Sequence, residues 1–126
     1  MKPPQLLIVD NEDTILFALK RYFAKLCYRV DLASELEEAE ALLAHTCYDL
    51  VIADLSLTTG GSTEGLEILR FLRSKSPATR AILLTGHGTP AVEREALRRG
   101  ALAVLHKPQP LPEIASLAGR LLGAPI

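Results

Sequence analysis

The chain has 126 residues, 48% of them hydrophobic, which suits one compact domain spanning residues 1 to 126 and is too short for two. Its 14 basic and 15 acidic residues leave a net charge of −1, so no overall attraction draws it to nucleic acid phosphates or to an anionic membrane. Apolar runs reach only four or five residues, and "MKPPQLLIVDNED" meets an acid before an export-type segment can form, so the expectation is a cytoplasmic protein with no membrane span.

Taken in chain order, the first element is an apolar run at Leu6 to Val9, too short for a helix and too uniformly apolar for a half-exposed strand. Ile15, Leu16, Leu19, Tyr22, Phe23 and Leu26 then recur at three-to-four-residue spacing, which predicts a helix behind an acidic first turn. Tyr28, Val30 and Leu32 alternate with Arg29 and Asp31, the pattern of an edge strand with one wetter face. Ser34 and Glu37 form a capping-box pattern before the helical Leu36, Ala39 and Leu43.

The alternation continues. Leu50 to Ala53 predicts a third strand, and Leu66, Leu69 and Leu72 mark a third helix. Ala81 to Leu84 and Ala101 to Leu105 read, like the first and third strands, as buried on both faces. Between them, Thr89-Pro90 opens a fourth helix and Arg98, Arg99 and Gly100 close it. Ile114, Leu117 and Leu121 supply a fifth. Five strand-helix units with right-handed crossovers predict an α/β fold with a doubly wound parallel sheet, because a closed barrel needs about eight.

In such a sheet, ligands bind beyond the carboxyl ends of the strands, where the winding reverses. The strand ends here carry Asp10, Asp54, Thr85 and Lys107. With the second strand at the edge, the order is 2-1-3-4-5, and Asp10 faces Asp54 at the reversal. Two such carboxylates repel unless a shared proton, a cationic side chain or a metal ion neutralises them. An oxygen-only donor set suits a hard ion such as Mg2+, and Lys107 offers a second positive charge. A carboxylate beside Mg2+ and an ammonium can attack phosphorus, which makes Asp54 the candidate nucleophile.

"LLIVDNE", "YDLVIADLSL", "AILLTGHG" and "GALAVLHKP", in this order, resemble the receiver domain of two-component response regulators across nearly the whole chain. The resemblance implies a flavodoxin-like (βα)5 fold and a phosphoacceptor switch rather than a metabolic enzyme. It implies that Asp54 takes a phosphoryl group from a histidine kinase or phosphotransfer protein. Asp10, Asn11, Asp54 and the backbone carbonyl of Ser56 would hold Mg2+, Thr85 would contact the phosphoryl group, and Lys107 would pair with it. It also implies that Lys107-Pro108 is cis, and that His87 influences the lifetime of the phosphoryl group.

The departures from that pattern are local. Asn11 stands where the family usually has a second acid, which predicts weaker Mg2+ binding, with Glu12 as a neighbour that could compensate or simply serve the helix dipole. Val104 replaces the usual aromatic three positions before the Lys, and Gln109 follows Pro108 where Phe is frequent. The segment "LSLTTGGSTEGL" lacks the usual Pro and is about three residues longer, in the manner of a mobile loop. These differences keep open a pseudo-receiver that binds proteins without being phosphorylated; a second alternative is a phosphohydrolase using the same Asp, Mg2+ and Lys, for which the sequence offers no substrate-pocket motif. Glu93, Arg94 and Glu95 suit either a solvated face or pairing across a homodimer. His106 is expected to pack against a neighbouring helix, and His45 to favour a helix end. Cys27 and Cys47, with no metal or disulfide spacing, are expected to be buried, inert thiols.

Overall fold

The computed structural model describes residues 2–56 and 64–123. Strands and helices alternate as β1 (Gln5–Val9), α1 (Asp13–Lys25), β2 (Arg29–Ala33), α2 (Leu36–His45), β3 (Leu50–Asp54), α3 (Glu64–Lys75), β4 (Arg80–Thr85), α4 (Pro90–Arg98), β5 (Ala103–His106) and α5 (Leu111–Leu121). The five strands are parallel in the order β2-β1-β3-β4-β5, as the sequence predicts.

The apolar runs are buried because helices cover both sheet faces. Leu6, Ile8, Leu50, Ile52, Ile82 and Leu84 join α1 and α5 on one side; Leu7, Val9, Val51, Ala53, Ala81 and Leu83 join α2, α3 and α4 on the other. Phe23 anchors the first core with no exposed surface and meets the Tyr28 ring edge-on, with centroids 4.9 Å apart. Burial of one such side chain contributes about 2–3 kcal/mol. At β2, Asp31 accepts a hydrogen bond from the buried Tyr48 hydroxyl at 2.5 Å, which ties the outer strand to the α2–β3 connection.

Helix signals hold in part. Thr89 caps α4 by accepting from the Val92 amide at 3.2 Å, Pro90 occupies the first turn, and Gly100 turns the chain out at φ 109°. Ser34 does not form the expected box with Glu37. The N-cap is Glu35, so Ser34 lies one residue outside it and its amide and hydroxyl both reach Glu38 instead. Leu26 is the C-cap of α1 and is half exposed, because the helical face that holds Leu16, Leu19 and Phe23 ends before it.

Two further expectations are corrected. β5 is not buried on both faces: it borders the sheet with only β4 beside it, and Ala103, Val104 and Leu105 are half-buried. Cys27 and Cys47 are exposed, free thiols. Cys27 sits just past α1 at φ 69°, and Cys47 lies in the connection before β3, so neither is on a core-facing position. The expected mobile loop in the segment "LSLTTGGSTEGL" falls largely on residues 57–63, which lie outside the described residues. Among the described residues, no helix is long and apolar enough to cross a membrane.

Candidate functional site

The strand order brings together the polar residues that follow the apolar runs. Asp10 lies immediately after β1, Asp54 is the last residue of β3, Thr85 the last of β4, and Lys107 follows β5. β1 and β3 are direct neighbours at the point where the sheet reverses. Asp10, Asp54 and Thr85 are 1%, 6% and 4% exposed, so three polar groups are buried at one rim.

The backbone fixes the carboxylates. Asp10 Oδ1 accepts from the Glu12 amide at 2.9 Å, and Asp54 Oδ1 from the Ser56 amide at 3.1 Å, the same two-residue turn at each strand end. The second oxygen of each carboxylate faces Lys107, whose Nζ lies 2.8 Å from Asp10 Oδ2 and 3.1 Å from Asp54 Oδ2. Glu12 Oε1 stands 3.7 Å from the same ammonium. β5 positions Lys107 through its amide, which donates to the Thr85 carbonyl at 2.8 Å, and the Lys107-Pro108 bond is cis.

The charges do not balance. One ammonium faces two buried carboxylates and a third, more exposed one. Burial is the main influence holding the Asp54 carboxyl above its ordinary value; the Ser56 amide and Lys107 oppose it, and Asp10 adds to it. Burial pulls Lys107 down, but hydrogen bonds and charge from Asp10 and Asp54 outweigh it and raise the ammonium above its ordinary value. The residual negative charge and the all-oxygen donor set fit a hard divalent cation. Among the described residues, no group of three or more His, Cys, Asp or Glu side chains gathers at metal distance, consistent with an amide at Asn11 in place of an acid.

Gly65 and Gly88 stand in the quoted segments without an expected role, yet both are close to the site. A Cβ on Gly65 would lie 2.7 Å from Leu55 Cα and 2.8 Å from the Asp54 carbonyl, so α3 packs directly on the end of β3. A Cβ on Gly88 would lie 2.9 Å from Thr85 Oγ1. The His87 amide donates to that hydroxyl at 3.3 Å, so the β4–α4 loop folds over Thr85. Only three-dimensional proximity reveals these contacts; the glycines in "TGHG" and before Leu66 were the available signal. His106, in register with Thr85, meets Glu93 of α4 at 3.0 Å, which agrees with the expected helix contact.

The family model for the response regulator receiver domain matches residues 6–118. The chain belongs to that family. It is 34% identical over 107 residues to the alginate biosynthesis transcriptional regulatory protein AlgB of Pseudomonas aeruginosa, covering 85% of this chain and 23% of that protein. The photosynthetic apparatus regulatory protein RegA of Rhodobacter capsulatus is 30% identical over 111 residues, covering 88% of this chain and 59% of RegA. The chain therefore spans less than two thirds of the length of these relatives. Among solved structures, a CheY-like receiver domain protein from Methanospirillum hungatei JF-1 superimposes with a TM-score of 0.90 at 25% identity, covering 96% of this chain and 94% of that one. The beryllofluoride-activated NtrC4 receiver domain dimer gives 0.85 at 26% identity and covers 98% of each chain. Receiver domains as a family are phosphoacceptor switches rather than metabolic enzymes.

Proposed function

We propose that Asp54 is the phosphoacceptor, that Asp10, Asn11, Asp54 and the Ser56 carbonyl hold Mg2+, and that Thr85 and Lys107 contact the transferred group. The whole chain, 1 to 126, is then one receiver unit that works in the cytoplasm. The observation that carries this reading is the bridge of Lys107 between Asp10 and Asp54 at the winding reversal, in a chain of this family.

The chemistry follows from these groups. A carboxylate oxygen of Asp54 attacks phosphorus of a phosphohistidine, or of a small acyl phosphate. The bond from phosphorus to the donor nitrogen or oxygen breaks, its electron pair leaves with the donor, and an aspartyl phosphate forms. Lys107 follows the charge from carboxylate to phosphoryl oxygen, and the Thr85 hydroxyl donates to another equatorial oxygen. Asp10, Asn11, Asp54 and the Ser56 carbonyl would hold a divalent ion there, which when bound would offset charge on the transferring group. Attack by water on phosphorus later breaks the bond from phosphorus to the Asp54 oxygen, releases inorganic phosphate and regenerates the carboxylate. Transfer and hydrolysis are thus self-catalysed, with no metabolic turnover.

The donor is a histidine kinase or phosphotransfer protein. A groove of about 550 Å3, lined by Ile15, Ala18, Lys107, Pro108, Leu111 and Ile114, opens beside the site and gives such a partner an approach. The new charge and acceptor oxygens then bias the loops that rest on Thr85. Activation of the NtrC4 receiver domain by beryllofluoride supports this switch reading. His87, on the loop over Thr85, would tune the lifetime of the phosphoryl group, and a homodimer is one outlet for the switch.

Intact-mass spectrometry after incubation with acetyl phosphate and Mg2+ tests the reading. One phosphoryl adduct is expected, absent from Asp54→Asn and from a chelated sample. No adduct from acetyl phosphate or from phosphodonor proteins would instead leave a pseudo-receiver that binds partners without phosphorylation.

A further inference from the structure

Away from the strand ends, α3 and α4 enclose a groove of about 380 Å3 lined by Glu67, Arg70, Arg73, Glu95, Arg98 and Arg99. It shares no lining residue with the Asp54 site. Four guanidinium groups here face two carboxylates, a local excess of positive charge in a chain whose net charge is −1.

The compensation is uneven. Glu95 is fully engaged, accepting from Arg98 at 2.8 Å and from Arg99 at 2.6 Å. Glu67 stands 3.7 Å from Arg70 and 4.0 Å from Arg99, too far for a good hydrogen bond to either. Arg73 donates at 3.3 Å to the carbonyl of Arg98, across the groove, rather than to a carboxylate. Arg99 likewise reaches the Leu66 carbonyl at 3.5 Å, so both walls are cross-braced and the cations are held over the opening. Arg70 and Arg73 are the groups with charge to offer.

The groove continues into a second hollow of about 230 Å3, walled by the same Arg73 and Arg99 and floored by Leu69, Leu72, Pro77 and Ala81. A long phosphate backbone would extend past this groove onto a chain whose net charge is −1, whereas a short acidic segment needs only the local excess of cations. A peptide with carboxylates flanking an apolar side chain matches both parts.

We propose that the α3–α4 groove is a docking site for an acidic, partly apolar peptide segment of a partner protein. Its carboxylates take paired hydrogen bonds from Arg70 and Arg73, and an apolar side chain enters the hollow over Leu69 and Leu72. Because Arg70 and Arg73 are exposed, the interaction is salt-sensitive and its contribution is mainly to partner choice.

Fluorescence anisotropy on the full chain tests this with a fluorescein-labelled peptide of repeated Glu-Glu-Leu, a Lys-Lys-Leu counterpart and a single-stranded oligonucleotide. The acidic peptide should bind in low salt and weaken as salt rises. In the Arg70→Glu, Arg73→Glu double variant, affinity should fall by about tenfold or more with an unchanged melting temperature. Glu67→Gln, which removes the carboxylate nearest Arg70, should bind more tightly than the parent. Equal affinity for the Lys-Lys-Leu peptide, an unaffected double variant, or an oligonucleotide held as tightly as the acidic peptide would each overturn the proposal.

Discussion

Lys107 reaches back across 97 residues of chain to place its ammonium 2.8 Å from Asp10, and the same nitrogen lies 3.1 Å from Asp54. Each end of this triangle is buried, so removing the cation leaves two carboxylates facing each other away from water. Lys107→Met should therefore lose about 3 kcal/mol in metal-free buffer. Part of that loss should return when Mg2+ is added. Urea unfolding with and without the ion measures both effects.

Asp54 gives a pH prediction whose sign follows from its raised carboxyl. The folded state holds the proton to higher pH than the unfolded chain, whose value is the ordinary 3.8. Stability therefore falls as pH rises through the window above 3.8, and the cost is complete once the folded carboxyl has ionised. Asp54→Asn keeps an oxygen for Lys107 and lacks the buried charge. It should melt higher than the parent near neutral pH, with the gap closing as pH drops toward 4. For Lys107 the direction is the same in a higher window: its raised ammonium stabilises the fold below the ordinary 10.5, and the gain is lost as pH climbs through the folded value.

The glycines at the rim make a graded series. Gly65→Ala forces a Cβ against the Leu55 and Asp54 backbone and should cost about 1–3 kcal/mol while displacing the acceptor carboxylate. Gly88→Ala meets only the Thr85 side chain, which can turn; the fold should survive while phosphorylation by acetyl phosphate slows. Gly86→Ala meets nothing within 4 Å and should leave both stability and rate near the parent. Thermal melts beside adduct-formation rates separate the three.

Asn11 is exposed next to the buried Asp10 and contributes no charge. Asn11→Asp should tighten Mg2+ binding by about tenfold, less in high salt, because an added carboxylate near the ion is partly screened by water. Isothermal titration of the two proteins with MgCl2 reads this directly.

Much of this structure was legible in the chain. Uniformly apolar runs such as Leu6 to Val9 read as strands covered on both faces, and a polar residue follows each run, so the strand order and the gathering of Asp10, Asp54, Thr85 and Lys107 at one rim were legible together. Position-specific detail was less accessible. β5 looked central because Ala101 to Leu105 is apolar, yet it is an edge whose cover comes from α4 and α5. Ser34 was one residue too early to cap α2, a shift within the usual uncertainty of helix ends. Gly65 and Gly88 act through close approach of distant backbone, which spacing along the chain does not encode.

The central claim is that Asp54, and not its neighbour Asp10 or Glu12, takes the phosphoryl group. Borohydride reduction of the acetyl phosphate-treated protein, followed by peptide mapping, tests it most directly, since an aspartyl phosphate is converted to homoserine. Homoserine at position 54 alone is the predicted result. Homoserine at position 10, or a phosphoryl adduct that leaves Asp54 unreduced, would contradict the account.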